Sequence, residues 1–474
     1  MKSVAFITLG CKLNQFESAA MAGQLENAGF EIIDPGRPAD IYVINTCTVT
    51  SKTDHRSQAA VRRAQRLNPD AAIVVAGCYG KVAPDEVRAL PGVDLVIGNA
   101  EKNEIVALVQ GLSGGRDSFS SSLKSKVQSP QSAIGHPFSP FRLFALSPIQ
   151  SPAEEPMIER FFDYSRAFVK VQEGCDSECA YCIIPRARGL NRSMAPDWVV
   201  AQVRKLVDAG YQEVVLCGTH LGTYGQDLFS RRSSASYCGE VGGAAINFQG
   251  LLGRILEETA VRRVRLSSIE PMEFDAGLRE AIVSSERICR HLHIPLQSGC
   301  DDVLKVMNRG YSTSDYTELI EWFKARCPAM CIGADVIVGF PAESEARFCE
   351  TLEFIRGIDL SYLHVFSYSV RLGTPAARDY SADEQVPPEE IKRRSGALRA
   401  ESRRKRLAFH QTLLGTRLDV LVLKRTDEAT GRRLALSDNY VNVLVNAEES
   451  LAGRIIPARI AAVSEDAVTA ELLP

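Results

Sequence analysis

The sequence lacks several features that would place it in other protein classes. No uncharged apolar run reaches the length of about 20 residues that a membrane-spanning helix needs. A secretory leader is not expected, because Cys11, Lys12 and Asn14 directly follow the strand-length segment Met1–Leu9. Charge of one sign is also missing, since the formal net charge is −3, so any contact with nucleic acid must come from a local basic patch. These absences predict a cytoplasmic protein without a membrane partner.

Length and cysteine content set the next limits. The chain has 474 residues, more than a single hydrophobic core supports, so we expect about three domains. It has 13 cysteines, an odd number, spread along the whole chain. Because cytoplasmic thiols stay reduced, clustered cysteines are expected to serve metal binding or catalysis and not disulfides.

Composition and periodicity divide the chain into five regions. Strand-like and helix-like segments alternate over residues 1–112, which predicts an open, Rossmann-like α/β domain. Residues 113–157 are rich in Ser, Pro and Gly and predict a linker or insertion. The alternation returns over residues 158–387, and residues 388–410 are predicted to form one basic helix. Short strands over residues 411–474 predict a small β-barrel.

The central region predicts a partial barrel. Its strand–helix units are fewer than the eight of a closed (β/α)8 barrel, so an open (β/α)6 TIM-type barrel fits better, with residues 228–243 as a loop insertion. The predicted central strands are Phe168–Glu173, Glu213–Cys217, Arg263–Ser268, Leu292–Pro295, Ile332–Val338 and Tyr362–Ser367. In the first region the predicted strands are Val4–Leu9, Ile41–Thr46, Ile73–Gly77 and Val93–Ile97, and the predicted helices include Gln15–Ala28 and His55–Leu67.

One cysteine motif gives the strongest chemical signal. Cys175, Cys179 and Cys182 form C-x3-C-x2-C directly after a predicted strand, within GCDSECAYCIIPRARG. Three thiolates hold three irons of a [4Fe–4S] cluster and leave the fourth iron open to a substrate atom. The alternatives are three core cysteines, or a zinc site completed by a distant histidine. The spacing favours the cluster.

The same motif resembles that of the radical S-adenosylmethionine (SAM) enzymes, which carry an aromatic residue before the last cysteine on a partial barrel. Here that aromatic residue is Tyr181. The resemblance implies that the open iron binds the amino and carboxylate groups of SAM. It also implies that an electron from the cluster cleaves SAM to methionine and a 5′-deoxyadenosyl radical.

Segments at strand ends supply the SAM contacts that this resemblance implies. VVLCGTH lies where the family often contacts the SAM amino group, and a hydroxyl or carboxylate of SSIEP would bond the ribose. In GADVIVGFP the adenine would rest on glycine, which permits close backbone approach. Each segment alone is equally well an ordinary strand-end turn. The expected cofactor contacts are Gly218, Thr219, Ser268, Glu270, Gln297, Gly333 and Gly339.

A second set of cysteines is dispersed over the first region. Cys11, Cys47 and Cys78 each stand at or just beyond the carboxyl end of a predicted parallel strand. Because that edge of an open α/β sheet binds ligands, the three thiols are able to converge there. Three buried cysteines without a ligand are an equally good interpretation of position alone.

The segments around these cysteines, LGCKLNQFES, VINTCTVT and AGCYGKVAPDEV, closely resemble the amino-terminal domain of the methylthiotransferases. The resemblance implies that this trio holds a second [4Fe–4S] cluster with one free iron. Two further segments, His293–Ser312 and Phe366–Ala377, are similar to family segments that line the active site, and the final β-barrel resembles the RNA-binding TRAM domain. The similarity covers nearly the whole chain except residues 113–157 and 228–243, which depart from the family pattern.

Three branches of this family differ in their substrates: isopentenyladenosine in tRNA, an aspartate of a ribosomal protein, and N6-threonylcarbamoyladenosine at tRNA position 37. LGCKLNQFES resembles the third branch, since Lys12-Leu13 stand where the isopentenyl branch usually has Gln-Met. This resemblance implies SAM-dependent methylthiolation of adenine C2, with a reducing electron donor such as flavodoxin or ferredoxin and a sulfur donor. An alternative of another class is a non-catalytic RNA-binding iron–sulfur protein.

The expected tRNA contacts are basic residues beside the C-x3-C-x2-C motif and in the predicted helix 388–410. Arg186 and Arg188, beside the cluster motif, would hold the anticodon loop, whose unstacked bases are within reach. Arg403 and Arg404 would contact phosphates. The alternative for the helix is an ordinary solvated basic face.

The remaining thiols and histidines carry less signal. His291 and His293 share a face as i, i+2 neighbours on a strand, with no third metal ligand evident beside them. The other cysteines are interpreted as core or loop thiols, namely Cys217, Cys238, Cys289, Cys300, Cys327, Cys331 and Cys349.

Overall fold

Two compact units make up the chain in the computed structural model. Unit 1 comprises Met1–Ile158 and Ile183–Leu190, and unit 2 comprises Glu159–Cys182 and Asn191–Pro474. The expected linker 113–157 and insertion 228–243 lie mostly outside the described residues, as does Cys238. The structure describes residues 1–113, 143–145, 155–161, 164–228, 246–465 and 467–473.

Unit 1 is built on a parallel sheet with helices. The strands are β1 (Ser3–Thr8), β2 (Glu31–Ile33), β3 (Ile41–Thr46), β4 (Ala72–Gly77), β5 (Val93–Ile97) and β6 (Leu143–Ala145). The helices are α1 (Lys12–Asn27), α2 (Ser51–Leu67), α3 (Cys78–Val82), α4 (Pro84–Ala89) and α5 (Ile105–Ser113), and the later segment of the unit adds α6 (Ile184–Arg188). The strand order β2-β1-β3-β4-β5-β6 is that of a doubly wound α/β fold, which confirms the predicted open α/β domain.

The central strands of this sheet are buried on both faces. Ile44 and Val75 pack into one hydrophobic core, whereas their neighbours Val43 and Val74 pack into the core on the opposite face. Side chains alternate across a strand, so a continuous β-branched run fills two cores at once. This is why the four predicted strands of the region appear with nearly the expected boundaries.

The first two helices begin earlier than the sequence predicted. Helix α2 starts at Ser51 because Thr50 and Thr53 form a reciprocal capping box ahead of it. Helix α1 starts at Lys12, directly after Cys11 at its N-cap position. The helix starts are therefore set by local cap geometry, which apolar periodicity does not reveal.

Unit 2 contains the predicted partial barrel. Its parallel strands are β7 (Ala167–Lys170), β10 (Glu213–Cys217), β11 (Arg263–Leu266), β12 (His291–His293), β13 (Cys331–Val338) and β14 (Tyr362–Ser367). They form the sheets β11-β10-β7 and β12-β13-β14. Backbone hydrogen bonds join the two sheets, from Val264 N to Arg287 O (2.7 Å) and from Cys289 N to Val264 O (2.8 Å).

One predicted strand of the barrel is interrupted. The segment predicted as Phe168–Glu173 divides into β7 and the short strand β8 (Gln172–Glu173), which pairs antiparallel with β9 (Arg192–Ser193). Between β8 and β9 runs the loop that carries the C-x3-C-x2-C motif. The pair therefore fixes both ends of that loop.

Helices surround the barrel strands. They are α7 (Pro196–Asp208), α8 (Phe248–Glu258), α9 (Ala276–Ser284), α10 (Asp301–Val306), α11 (Thr313–Arg326), α12 (Glu345–Gly357) and α13 (Pro375–Asp379). In the part of the chain that the structure describes, no helix combines the length and apolar character needed to cross a bilayer.

The C-terminal part of unit 2 is a long helix followed by a closed β-barrel. Helix α14 (Pro388–Gln411) packs on β14, where Ser402 Oγ accepts a hydrogen bond from Leu363 N (2.9 Å). The barrel strands are β15 (Arg417–Thr426), β16 (Arg433–Ser437), β17 (Asn442–Val445), β18 (Ile455–Val463) and β19 (Val468–Leu472). They close in the order β15-β16-β17-β19-β18, which confirms the predicted small barrel.

Candidate cluster and cofactor sites

The first cysteine trio lies at one edge of the sheet in unit 1. Cys11 precedes α1, Cys47 follows β3, and Cys78 opens α3 directly after β4. Strands β1, β3 and β4 are neighbours and parallel, so their carboxyl ends bring the three thiols to the same edge. Gly10 takes a left-handed φ of 100°, and a Cβ there would lie 2.5 Å from Cys47 Cβ. Only glycine permits this approach.

The electrostatics of this trio fit a metal cluster. The pKa of Cys47 is raised to about 12, first by burial and then by the neighbouring Cys78 and Cys11 thiols. Cys47 therefore needs a compensating positive charge nearby before it can act as a thiolate ligand. Iron supplies such charge. The donor set of the trio therefore suits an iron–sulfur cluster better than three independent core cysteines.

A buried polar network supports the same edge of unit 1. Arg188 is 2% exposed, and its guanidinium donates to Glu17 Oε1 (2.7 Å) and to Asn14 Oδ1 (2.7 Å). Lys102 also pairs with Glu17, and Asn14 donates to Thr46 O (2.9 Å). Arg188 thus binds protein carboxylate and amide groups in the structure. This placement differs from its expected contact with RNA, while Arg186 on the same short helix α6 is exposed.

The second trio lies on the loop between β8 and β9 in unit 2. Ala180, inside the motif, donates its N–H to Met307 O (3.0 Å) and accepts from Ala376 N (2.8 Å). Asn308 Nδ2 donates to Glu178 O (2.8 Å). These partners come from the two segments that were predicted to line the active site. The structure therefore brings those segments to the cysteine loop.

Donor groups point at two thiols of this trio. Arg309 Nη1 lies 3.2 Å from Cys179 Sγ, and His220 Nδ1 lies 3.4 Å from Cys175 Sγ. Burial alone would raise the pKa of Cys175, but the hydrogen bond with His220 and its charge lower it. A thiol that ionises readily beside positively charged donors is suited to metal ligation. The site therefore also fits an iron–sulfur cluster.

Two hydroxyl groups near this loop have buried oxygen atoms without a partner among the described residues. They belong to Thr219 and Ser267, which follow the paired strands β10 and β11. Buried hydroxyls normally form hydrogen bonds, so an absent polar ligand fits here. Thr219 was predicted as a SAM contact. The predicted SAM contact beside Ser267 was its neighbour Ser268, which is exposed.

Other predicted SAM contacts are occupied by protein groups. Glu270 pairs with Arg309, and its pKa is raised because burial outweighs the attraction of that guanidinium. Gly218 leaves room for Gln172, whose Oε1 would lie 2.8 Å from an added Cβ. Gln297 is buried with a left-handed φ of 66°, and its N–H donates to Asp335 O (2.8 Å). These residues shape the region around the cysteine loop.

The two glycines of the GADVIVGFP segment meet protein side chains. A Cβ at Gly333 would lie 2.1 Å from the Tyr362 ring, and one at Gly339 would lie 2.4 Å from Ile391 Cγ1. Each glycine therefore accommodates a neighbouring side chain. The two glycines predicted to support the adenine of SAM therefore lie against Tyr362 and Ile391.

The basic residues of α14 divide by exposure, and both predicted RNA contacts lie on its exposed side. Arg403 is exposed, and Arg404 is exposed and paired with Glu401. By contrast, Arg394 is buried against Glu343 (2.9 Å), and Lys405 Nζ donates to Ile358 O (2.6 Å). Two of the eight Lys and Arg residues of the predicted helix, Arg394 and Lys405, are therefore buried and attach the helix to the rest of unit 2, which sequence periodicity did not distinguish.

The prediction about the histidine pair was wrong in one respect. His291 and His293 do share a face, because Nε2 of His291 and Nδ1 of His293 both contact the Tyr362 hydroxyl (2.9 and 3.4 Å). However, His293 does have potential co-ligands beside it, namely Asp335 and His364. These residues are on the next two strands, and their proximity depends on strand register.

Comparison with known families matches both units. A family model described as uncharacterized protein family UPF0004 matches residues 3–98, which include the first cysteine trio. A model described as the radical SAM superfamily matches residues 169–355, which include the second trio.

Individual relatives align over nearly the whole chain. The sequence is 37% identical to the threonylcarbamoyladenosine tRNA methylthiotransferase MtaB of Bacillus subtilis, over 97% of this chain and 94% of the relative. It is 36% identical to the MtaB protein of Aquifex aeolicus, over 93% and 96%. A tRNA-2-methylthio-N(6)-dimethylallyladenosine synthase of Moorella thermoacetica is 29% identical, over 97% and 96%.

Among solved structures, the radical S-adenosylmethionine methyltransferase TsrM of Kitasatospora setae is similar in fold. The TM-score is 0.52 at 14% sequence identity, and the match covers 80% of this chain and 77% of that chain. At this identity the similarity concerns the fold alone.

Proposed function

Because the chain belongs to the tRNA methylthiotransferases of the radical SAM superfamily, and to the MtaB branch among them, we propose that it methylthiolates tRNA. The proposed reaction installs a methylthio group at C2 of N6-threonylcarbamoyladenosine at position 37. The observation that carries the proposal is the presence of two separate cysteine trios, Cys11/Cys47/Cys78 and Cys175/Cys179/Cys182, each one ligand short of closing a [4Fe–4S] cluster.

Each trio has a distinct proposed task. When bound, the cluster on Cys175, Cys179 and Cys182 supplies the electron that cleaves SAM, and the cluster on the first trio holds the sulfur. Such chemistry is needed because adenine C2 carries an unactivated C–H bond that acid–base side chains do not break. The remaining work belongs to protein groups, which bind and orient the reactants and exclude water.

Several described side chains suit these tasks in unit 2. The unpartnered hydroxyls of Thr219 and Ser267 are positioned to accept or donate hydrogen bonds to polar groups of SAM. Arg309 donates toward the thiol of Cys179, and His220, beside the thiol of Cys175, lowers the pKa of that thiol against the effect of its burial. The further proposed SAM contacts are Gly218, Ser268, Glu270, Gln297, Gly333 and Gly339, and most of these positions also contact protein groups.

Exposed arginines are the proposed contacts to tRNA. Arg186 lies directly after the second cysteine motif, and Arg403 and Arg404 lie on the exposed side of α14. Their positive charges neutralise phosphates, which makes binding dependent on salt. The closed barrel β15–β19 is a further proposed RNA contact, since it has the small-barrel form of a TRAM domain. A base in the anticodon loop is extruded at little cost, because it is already unpaired.

The remaining partners follow from the chemistry. A reduced flavodoxin or ferredoxin would deliver the electrons one at a time, and a sulfur donor would replace the sulfur that leaves with the product. Because tRNA and these donors are cytoplasmic, we propose that the protein acts there.

The proposed function is tested by anaerobic turnover with two purified tRNA substrates. One carries N6-threonylcarbamoyladenosine at position 37 and the other carries isopentenyladenosine there. Mass analysis of nucleosides should show a methylthio adduct on the first substrate only, and formation of 5′-deoxyadenosine should accompany it. Cys179→Ala should abolish both products, whereas Cys327→Ala, a cysteine outside both trios, should not.

Other outcomes of this experiment overturn the proposal in distinct ways. Methylthiolation of the isopentenyl substrate alone would assign the chain to the branch of the Moorella relative. Tight tRNA binding without 5′-deoxyadenosine would support the non-catalytic RNA-binding alternative. Absence of any modified tRNA, together with a modified ribosomal protein in cells, would assign it to the third branch.

A further inference from the structure

A group of potential metal ligands lies in unit 2 apart from every cysteine of the two trios. His293, Asp335 and His364 stand on the neighbouring strands β12, β13 and β14. One ligand atom from each, an imidazole nitrogen or a carboxylate oxygen, lies within 4.8 Å of the other two. Among the described residues they form the one group of three His, Cys, Asp or Glu side chains that meets this distance.

Strand register produces this convergence. Asp335 and His364 are direct partners across β13 and β14, and His293 pairs with Gly333, two residues before Asp335 on the same face. Backbone hydrogen bonds on both sides of β13 therefore fix the spacing of the three side chains. Ligands on paired strands are held more rigidly than ligands on loops, which favours a preformed site.

The distances suit a small divalent ion. His293 Nε2 lies 2.9 Å and His364 Nδ1 lies 3.3 Å from the same oxygen, Asp335 Oδ1. In a tetrahedral site with bonds of about 2.0–2.2 Å, ligand atoms are about 3.3–3.6 Å apart. The distance from His364 Nδ1 to Asp335 Oδ1 already lies in this range. The distance from His293 Nε2 to the same oxygen reaches the range if the two side chains move apart by a few tenths of an ångström.

A second layer of contacts orients the first imidazole. His293 Nδ1 lies 3.4 Å from the Tyr362 hydroxyl, which also contacts His291 Nε2 at 2.9 Å. Gly333 leaves the space that the Tyr362 ring occupies. Metal-bound histidines commonly use their other ring nitrogen in this way, which leaves the ligating nitrogen directed at the metal. The ring of His293 is therefore set with Nε2 toward Asp335.

The third ligand provides access to the site. The His364 side chain is 48% exposed, whereas those of His293 and Asp335 are 9% and 24% exposed. His364 also lines a cavity of about 350 Å³ whose wall includes Arg406, His410 and Tyr440. The exposed imidazole of His364 gives solvent access to one side of the group, where water or a small anion can complete the coordination of an ion.

We propose that His293, Asp335 and His364 form a binding site for a divalent transition-metal ion of the zinc class, with one coordination position open toward the cavity. Two imidazoles and one carboxylate are the ligand set of open zinc sites and of facial-triad iron(II) sites. The site contains no cysteine and does not depend on the proposed tRNA activity.

The test measures zinc bound by the full-length protein after both clusters have been loaded. The protein is equilibrated anaerobically with zinc sulfate, passed through a weak chelating resin, and analysed for zinc and iron by mass spectrometry. Wild type should retain about one zinc per chain beyond the amount retained by His364→Ala. His410→Ala is the matched control, because His410 lines the same cavity without belonging to the trio, and it should retain zinc like wild type.

A second variant and a spectrum keep the outcome decisive. Asp335→Asn preserves size, so it should fold with unchanged iron content while it loses zinc. Zinc K-edge X-ray absorption of wild type should show nitrogen and oxygen neighbours with imidazole scattering and no sulfur. Equal zinc in wild type and both variants, sulfur neighbours at zinc, or no retained zinc at all would overturn the proposal. The last result would leave the three residues as a hydrogen-bonded group without a metal.

Discussion

At the scale of single residues, adjacent positions in the chain have opposite environments. Ser267 directs its hydroxyl into the protein, where it has no partner among the described residues, and the next residue, Ser268, is exposed. Successive side chains at the end of a strand point in opposite directions, so two adjacent residues can be buried and exposed in turn. Of the two serines, we therefore propose Ser267 as the hydrogen-bond partner of SAM.

Replacement of these two serines should have unequal effects on SAM binding. Ser267→Ala removes one hydrogen bond, which is about 0.5–1.5 kcal/mol, so the Kd for SAM should rise roughly 2- to 12-fold. Ser268→Ala is the matched control and should leave the Kd nearly unchanged. Equilibrium binding of SAM to the cluster-loaded protein measures both values. A larger effect from Ser268 would restore the prediction made from the sequence.

A second residue-scale prediction concerns the donor beside Cys179. Arg309→Met, combined with Glu270→Gln so that no carboxylate is left unpaired, removes a positive donor 3.2 Å from Cys179 Sγ. Hydrogen bonds and positive charge at the sulfurs favour the reduced cluster, so its potential should fall. A loss of about 1 kcal/mol corresponds to roughly 40 mV for one electron.

Potentiometry followed by electron paramagnetic resonance measures this shift. The background carries Cys47→Ser, so that the cluster of the second trio gives the signal. Arg326→Met, at an exposed arginine on α11, serves as the control and should leave the potential unchanged. An unchanged potential in the Arg309 variant would show that this donor does not act on the cluster.

At the scale of elements, short helix α6 shows how one segment serves two purposes. Arg188 is buried in the network with Glu17 and Asn14, while Arg186, two residues earlier, is exposed. Residues two apart on a helix lie on nearly opposite faces, so these arginines cannot share a role. The same division separates Arg394 from Arg403 on α14. A basic run in sequence is therefore not by itself a basic surface.

The two arginines of α6 should respond differently to replacement by alanine. Arg188→Ala leaves Glu17 with Lys102 as its remaining buried partner and should lower the stability of unit 1 by about 3 kcal/mol. Arg186→Ala should change stability by less than about 0.5 kcal/mol. Hydrogen exchange measured by mass spectrometry on peptides of α1 reports the difference. Equal protection in the two variants would contradict the assigned network.

At the scale of the whole molecule, each compact unit carries its own cysteine trio. Unit 1 brings its three cysteines together from three separate strand ends, whereas unit 2 carries its three within one loop. The same chemistry is thus reached by long-range sheet topology in one unit and by local spacing in the other. Loss of a ligand in one unit should not empty the other.

Iron counting after anaerobic reconstitution measures this independence. Wild type should hold roughly eight irons per chain, the content of two [4Fe–4S] clusters. Cys179→Ala and Cys47→Ala should each retain about half, because each removes a ligand of a cluster that already lacks a fourth cysteine. Cys327→Ala serves as the control. Zinc in place of iron, or complete loss of iron from either single variant, would contradict two separate cluster sites.

Much of this architecture followed from local sequence patterns. The strands Glu213–Cys217 and Tyr362–Ser367 have the predicted bounds. The first is a buried run with β-branched residues between turn residues, a pattern that specifies a strand. The start of α2 was predicted four residues late, at His55 and not at Ser51, because a polar capping box precedes the apolar pattern. Element types were therefore more predictable than their ends.

What the sequence by itself determined is the C-x3-C-x2-C motif and the position of Cys11, Cys47 and Cys78 after predicted strands, because residue type and spacing are local properties. What only the tertiary structure decided is which polar side chains meet. The burial of Arg188, the burial of Ser267 beside the exposed Ser268, and the convergence of Asp335 and His364 on His293 all depend on strand register and on which face packs against a neighbour. Register is set by pairing between distant segments, so no local pattern encodes it.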